Sequence, residues 1–334
     1  MAFLDDAAES RCGLSLGITI MNAKTTPKIA AEAPVPSLRY KQGESGIVGV
    51  EHPIKLSSNE SSHGPSPAAI DAFSSCSTQL HRYPDGSQRQ LREAISAVYG
   101  LNADQLICGN GSDELISLTV RAFVRSGDHA LLSENGFIMS NIHCQTQHAV
   151  LDIAPETQHR VCVDSLLARV GPRTRFCTIA NPNNPTGTYI PLSELRRLRE
   201  GLPDDCVLLV DSAYAEYVDE ADYDPGIALV NEYDNVIMTR TFSKIHGLSA
   251  LRVGWAYASE RIISVLQSIR TPFNVNAPAL AAAAAAMRDT DWAEKVKQHN
   301  NQSLAIISDR IRGLGIDIVP SVANFYLMRF SGEN

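Results

Sequence analysis

Long apolar runs are missing from this chain of 334 residues: no stretch approaches the roughly 20 residues that a membrane-spanning helix needs. A basic stretch is missing too. With a formal net charge of -8 and a pI near 5.6, neither nucleic acid nor an anionic membrane is expected as the main partner. An anionic small molecule is still compatible, because a local site overrides net charge. There is no C-x-x-C pair. The seven cysteines (Cys12, Cys76, Cys108, Cys144, Cys162, Cys177 and Cys206) are scattered and odd in number, a pattern of reduced thiols in a cytoplasmic protein, with neither a disulfide framework nor a zinc site. The nine histidines form no H-E-x-x-H, so no metal is expected and a metallohydrolase has no support. No signal peptide is expected at the start, since Asp5, Asp6 and Glu9 precede a weakly apolar patch at 14–21 and no clear cleavage site follows. Residues 1–24 are expected to be a disordered extension, with either Met1 or Met21 as the natural start.

What is present is enough hydrophobic content, 44%, to bury a large core, and the length suits one large α/β domain plus a smaller one. Residues 25–67 are rich in Pro, Gly and Ser, as expected of an arm that wraps a surface. From about 68, helix and strand alternate. Strands are expected at 106–108, 130–132, 150–153, 176–180, 207–210, 236–239 and 253–258, and helices at 112–125, 163–170, 192–200 and 261–269. This alternation predicts a doubly wound, mainly parallel sheet of seven strands flanked by helices. After Pro278 the alanines 281–286 predict a close-packed helix, since Ala has the best helix propensity and lets neighbours approach. A long helix over 292–312 and strands at 316–319 and 325–328 follow. The expected division is an extension and arm over 1–67, a large domain over 68–275 and a small α+β domain over 276–334.

The chemistry gathers around Lys244 in Thr241-Phe242-Ser243-Lys244, with Arg252 downstream and Asn184, Asp211 and Tyr214 upstream. A lysine amine condenses with an aldehyde cofactor only when part of it is unprotonated, which burial or a neighbouring cation arranges. Pyridoxal phosphate then acts as an electron sink, provided a carboxylate keeps its ring nitrogen protonated. Asp211 ends the apolar run Cys206-Val207-Leu208-Leu209-Val210, which reads as a buried parallel strand, and open α/β sheets bind ligands at that end of their strands. Tyr214 and the Asn184 amide could hydrogen-bond the cofactor's ring oxygen. Gly109-Asn110-Gly111-Ser112-Asp113-Glu114 joins a strand to a helix and so offers free N–H groups and a positive dipole end to a phosphate. Ser243 and Arg252 could complete that site, Arg through its planar fork of donors. Phe137 could stack on the pyridine face. Each has a bland reading: a Ser-Lys pair is most often surface, an Asp ending a strand is often a helix cap, Ser112 is an ordinary N-cap, Phe137 is ordinary core, and Asn181-Pro182-Asn183-Asn184-Pro185-Thr186-Gly187 is two turns. Their order and spacing favour the joint reading.

These residues resemble the fold-type I pyridoxal phosphate (PLP) aminotransferases, class II subgroup, and among them the histidinol-phosphate aminotransferases. The resemblance runs from Leu56-Ser57-Ser58-Asn59-Glu60 to Asn324-Phe325. It is most specific at His81-Arg82-Tyr83-Pro84-Asp85-Gly86, Gly111-Ser112-Asp113-Glu114, Asn181 to Gly187, Asp211-Ser212-Ala213-Tyr214 and Arg240-Thr241-Phe242-Ser243-Lys244 through Arg252-Val253-Gly254. It implies that Lys244 bonds covalently to the cofactor, Asp211 pairs with the ring nitrogen, Asn184 and Tyr214 hold the ring oxygen, and Phe137 stacks where many relatives have Tyr. Ser112, Asp113, Ser243 and Arg252 would surround the phosphate, joined by Tyr83 from a second subunit, so that a homodimer shares its sites. Asn59, Tyr40 and Asn184 would lie near the substrate. The implied partners are a phosphorylated amino alcohol and the 2-oxoglutarate/glutamate pair.

The sequence departs from the family pattern at Ser212, where Glu is usual, at Ser61, and at Gln42 where the family has Pro. The family continues past position 334 with two strands whose arginines bind the substrate's anionic groups, and the expectation is that the natural protein does too. Competing readings are an aromatic aminotransferase or a phosphothreonine decarboxylase on the same scaffold, a non-catalytic PLP-binding protein, and a nicotinamide dehydrogenase, which Glu114 disfavours because it occupies the third glycine position of the dinucleotide fingerprint.

Overall fold

The computed structural model describes residues 38–330 except 42, 45 and 47. The expected N-terminal extension, the first part of the arm and Gln42 lie outside the described residues. Among the described residues of 38–66 there is no helix or strand beyond a single bridge at Val50.

Helix α1 (Pro67–Ser75) and helix α2 (Arg89–Tyr99) precede strand β1 (Leu106–Gly109) and helix α3 (Ser112–Phe123). Strand β2 (His129–Ser133), helix α4 (Ile138–Thr146), strand β3 (Val150–Ala154) and helix α5 (Val163–Leu167) follow. Next come β4 (Thr174–Ala180), α6 (Leu192–Gly201), β5 (Val207–Asp211), α7 (Ile227–Glu232), β6 (Val236–Thr241) and β7 (Gly254–Ala258). After them come α8 (Glu260–Ile269), α9 (Ala277–Arg288), α10 (Thr290–Gly313), and the short strands β8 (Asp317–Ile318) and β9 (Met328–Arg329).

The main sheet has seven strands in the order β1-β7-β6-β5-β4-β2-β3. Neighbours β6, β5, β4, β2 and β3 pair in parallel, whereas β7 is antiparallel to both β1 and β6. The expected mainly parallel sheet is therefore present, with one reversed strand. The reversal has a simple cause: residues 242–253 contain only a 3-10 turn, without the crossover helix that a parallel return requires. This connection consequently stays at the C-terminal end of β6, next to the end of β5.

The period of two along each strand divides the core. Leu208, Val210, Val236 and Met238 join one apolar cluster, and Val207, Leu209 and Ile237 join the other on the opposite face. Each such side chain, fully buried, stabilises the sheet by about 1.5–3 kcal/mol. Among the described residues no helix is long and apolar enough to cross a membrane, and the six described cysteines are free thiols.

Three local expectations change. The alanine-rich helix α9 begins before Pro278, because the Asn276 side chain accepts from Ala279 N at 2.8 Å and Pro is tolerated in the first turn. Helix α5 stops at Leu167, where the chain tightens into an Arg169 N–H to Leu166 carbonyl bond of 2.9 Å. The strand expected at 325–328 contracts to β9. Just upstream, the Phe325 carbonyl accepts from Ser321 Oγ at 2.5 Å and Asn324 Nδ2 donates to the Asn59 carbonyl at 3.1 Å, so local side-chain bonds replace ladder bonds.

Candidate active site

At the C-terminal ends of β4, β5 and β6 lies a cavity of about 670 Å³. Asp211, the last residue of β5, is only 6% exposed. Its register partner on β6 is Thr239, whose hydroxyl donates to Asp211 Oδ1 at 3.0 Å. Burial pushes the Asp211 carboxyl up to about 6, and the nearby Asp113 charge adds to this, while Thr239 and Lys244 oppose it.

Lys244 follows β6 by three residues and lines the same cavity. Its Nζ donates to the Ser58 carbonyl at 2.9 Å and lies 5.4 Å from the centre of the Tyr214 ring. Burial lowers its pKa to about 8; Arg252 and Lys55 lower it further, against the opposing Glu60 and Asp211. An appreciable share of this amine is thus unprotonated near neutrality, as a nucleophilic lysine requires. The Tyr214 hydroxyl accepts from Asn59 Nδ2 at 3.1 Å. Burial drives its pKa upward, so it remains a phenol able to donate.

The other end of the cavity gathers a helix N-terminus, a serine and a guanidinium, donors that could hold an anion. Gly111, at φ +84°, turns the chain from β1 into α3, and a Cβ there would sit 2.6 Å from Arg252 Nη2. Only glycine leaves that guanidinium room beside the helix N-terminus. Arg252 Nη1 donates to Ser243 Oγ at 3.3 Å and to the Ser249 carbonyl at 2.9 Å. Ser243 is in turn fixed by Thr241, whose Oγ1 accepts from Ser243 N at 3.1 Å. The Asp113 carboxylate, which would repel an anion, is 3.0 Å from His143 Nε2.

Of the residues singled out in the sequence, Tyr40, Asn59, Ser112, Asp113, Phe137 and Asn184 also line the cavity, beside Asp211, Tyr214, Ser243, Lys244 and Arg252. Tyr83 does not. It is 83% exposed and stacks on Phe273 at 4.8 Å. Four contributors escaped the sequence reading: Thr239, His143, the Ser58 carbonyl and Glu156. Glu156 Oε1 accepts from Ser133 Oγ at 2.6 Å and from Asn135 N and Asn183 Nδ2, each at 3.3 Å, while its Oε2 accepts from Asn135 Nδ2 at 3.0 Å. It thereby joins the loop before Phe137 to the loop carrying Asn184.

The profile of aminotransferases of class I and II matches residues 51–334. The chain belongs to this family. Its relatives include the histidinol-phosphate aminotransferase of Paramagnetospirillum magneticum, 48% identical over 306 residues that span 90% of this chain and 84% of that one. That of Maricaulis maris is 48% identical over 87% of this chain and 80% of its own. Among solved structures, the histidinol-phosphate aminotransferase of Sinorhizobium meliloti in complex with pyridoxal-5'-phosphate superimposes with a TM-score of 0.79 at 29% identity, covering 82% of this chain and 75% of that one. The aminotransferase fold thus puts its strand ends, β5 above all, around the cavity described above.

Proposed function

We propose that this aminotransferase uses pyridoxal phosphate to move an amino group from L-histidinol phosphate to 2-oxoglutarate, giving imidazole-acetol phosphate and L-glutamate. The observation that carries the reading is one cavity in which a lysine of lowered pKa and a buried carboxyl meet a guanidinium at a helix N-terminus. The choice of donor rests on the relatives at 48% identity.

The residues fit the cofactor on its own chemistry. The space denied to any Cβ at position 111, beside Arg252, suits phosphate oxygens. PLP supplies an aldehyde and a pyridinium ring that draws electrons from the substrate carbon. Lys244 would be the covalent attachment point, and its Nζ, with its lowered pKa, would take the proton from the donor's amine-bearing carbon. Asp211 would accept from the protonated ring nitrogen, Tyr214 and Asn184 would hold the ring oxygen, and Phe137 would stack on the ring. Ser112, the Asp113 N–H, Ser243 and Arg252 would hold the phosphate, while Asn59 and Tyr40 would face the substrate. No metal takes part.

The enzyme acts as a cytoplasmic homodimer in this reading. The exposed Tyr83, braced by Phe273, supports a role in a second subunit's site, and free thiols suit the cytoplasm. Residues 68–275 form the large domain, 276–334 the small one and 1–67 the extension and arm; the Asn324 to Asn59 bond supports packing of the arm with the small domain.

The test is donor specificity of the purified holoenzyme. Glutamate should form from 2-oxoglutarate with histidinol phosphate far faster than with phenylalanine. Faster transfer from phenylalanine, carbon dioxide release from phosphothreonine, or no transfer from any donor would overturn the assignment.

A further inference from the structure

Behind the proposed active site, on the opposite face of β6, Arg240 and Glu216 form an ion pair of 2.7 Å with side chains only 4% and 10% exposed. The period of two explains the placement: Thr239 and Thr241 face the cavity and Arg240, between them, faces away. Glu216 arrives from the 3-10 turn two residues beyond Tyr214. We propose that the Glu216–Arg240 pair is a positioning clamp, holding the segment that carries Asp211 and Tyr214 in register with the segment that carries Ser243 and Lys244. This inference rests on the reading of Lys244 and Asp211 as the cofactor's partners.

Two observations favour positioning over mere stability. The guanidinium is fixed in direction, with Nη2 donating to the Tyr99 hydroxyl at 3.0 Å and its carbon 4.7 Å from the Tyr99 ring centre and 5.4 Å from that of Trp255. Yet the network is incomplete: Glu216 Oε2, Arg240 Nε and His246 Nε2 are buried without a hydrogen-bond partner, His246 Nε2 standing 4.0 Å from Glu216 Oε1, beside a second cavity of about 340 Å³. A buried ion pair with unsatisfied edges contributes little net stability. What it supplies is a fixed distance between two loops that share no strand ladder beyond β5 and β6. Tyr223, His246, Glu294 and Lys297 are the other titratable groups lining that second cavity, and Glu60, Asp211, Arg252 and Lys55 are those whose charges act on the lysine.

The test uses Glu216→Gln, Arg240→Lys and the conservative Glu216→Asp. In the cofactor-free enzyme, acetic anhydride labelling of Lys244, read by peptide mass across pH, gives the midpoint of its titration. Loosening the clamp admits water to the amine, so the Gln and Lys variants should raise that midpoint by about one pH unit, a tenfold loss of unprotonated amine. The holoenzymes should lose at least about tenfold in kcat, with KM for the donor within about threefold. Glu216→Asp should recover most of both. A lower unfolding temperature with midpoint and kcat unchanged would reduce the pair to ordinary structure, and Glu216→Gln decides alone if Arg240→Lys does not fold. Should the enzyme prefer another amino donor, the labelling midpoint still decides the clamp, so the two failures are distinguishable.

Discussion

Replacing Lys244 should make the cofactor-free protein more stable. Lys244 is held in a site that prefers it neutral, from an ordinary 10.5 down to about 8. At ~1.36 kcal/mol per pH unit this difference in proton affinity amounts to about 3 kcal/mol. Below pH 8 both states carry the proton, and the folded state bears the full cost. As pH rises from 8 toward 10.5 the unfolded chain holds more protons than the folded one, so folding stability increases and the cost disappears. Lys244→Met keeps the length of the side chain and removes the charge, but forfeits the 2.9 Å bond to the Ser58 carbonyl, worth about 1 kcal/mol. The expected net gain at pH 7 is about 2 kcal/mol, or on the order of 3 °C in Tm for a chain of this length. Urea unfolding of both apoproteins at pH 7 and pH 10 is the assay. With PLP present the order should reverse, since only the wild type anchors the cofactor covalently. A Met variant less stable than wild type at pH 7, or a gap that does not close by pH 10, would show that burial does not depress this amine.

Asp211 titrates with the opposite sense. Its carboxyl is raised from 3.8 to about 6, so it stabilises the empty fold below pH 4 and that contribution is lost as pH rises through 6. Binding of PLP should therefore weaken as pH falls below 6 in the wild type, and Asp211→Asn should bind weakly at every pH and lose more than about 10²-fold in kcat; absorbance titrations of the two proteins compare them. Gly111→Ala combines a strained φ of +84° with a Cβ 2.6 Å from Arg252 Nη2. It should raise the PLP dissociation constant by roughly tenfold or more, and wild-type affinity in a fluorescence titration would contradict the phosphate assignment. Glu156→Gln puts an NH2 in place of one of the two oxygens that together accept from Ser133, Asn135 and Asn183, which should cost about 1–3 kcal/mol in urea unfolding and weaken cofactor retention by loosening Phe137 and Asn184.

The strands of the sheet were legible because buried strands read as short continuous apolar runs, and the run ending at Asp211 is among the clearest. The direction of β7 was not, since periodicity carries no sense of direction; only the missing crossover helix between 242 and 253 tells that the chain turns back. The same limit applies to the site. Asp211, Lys244 and Arg252 stand in recognisable local strings, whereas Thr239 matters because β6 happens to lie beside β5, and His143 because α4 comes to rest against the start of α3. Neither neighbour can be read without the strand order and helix packing. Tyr83 sits in a specific motif, yet within a single chain it lies outside the cavity.

One alternative left open by the sequence is decided by the fold. Burial or a neighbouring cation could each lower a lysine's pKa, and Arg252 invites the second explanation. In the structure burial comes first, and the Arg252 charge is set against the carboxylates of Glu60 and Asp211, which act in the opposite sense. The amine is thus tuned mainly by the exclusion of water, which depends on how closely the 57–60 loop and β6 approach one another. That approach is a long-range contact, made by the carbonyl of a serine whose side chain does not enter it. A backbone acceptor can be supplied by any residue type, so no substitution pattern would have revealed it, and the reactivity of Lys244 becomes a property of tertiary packing rather than of its neighbours in sequence.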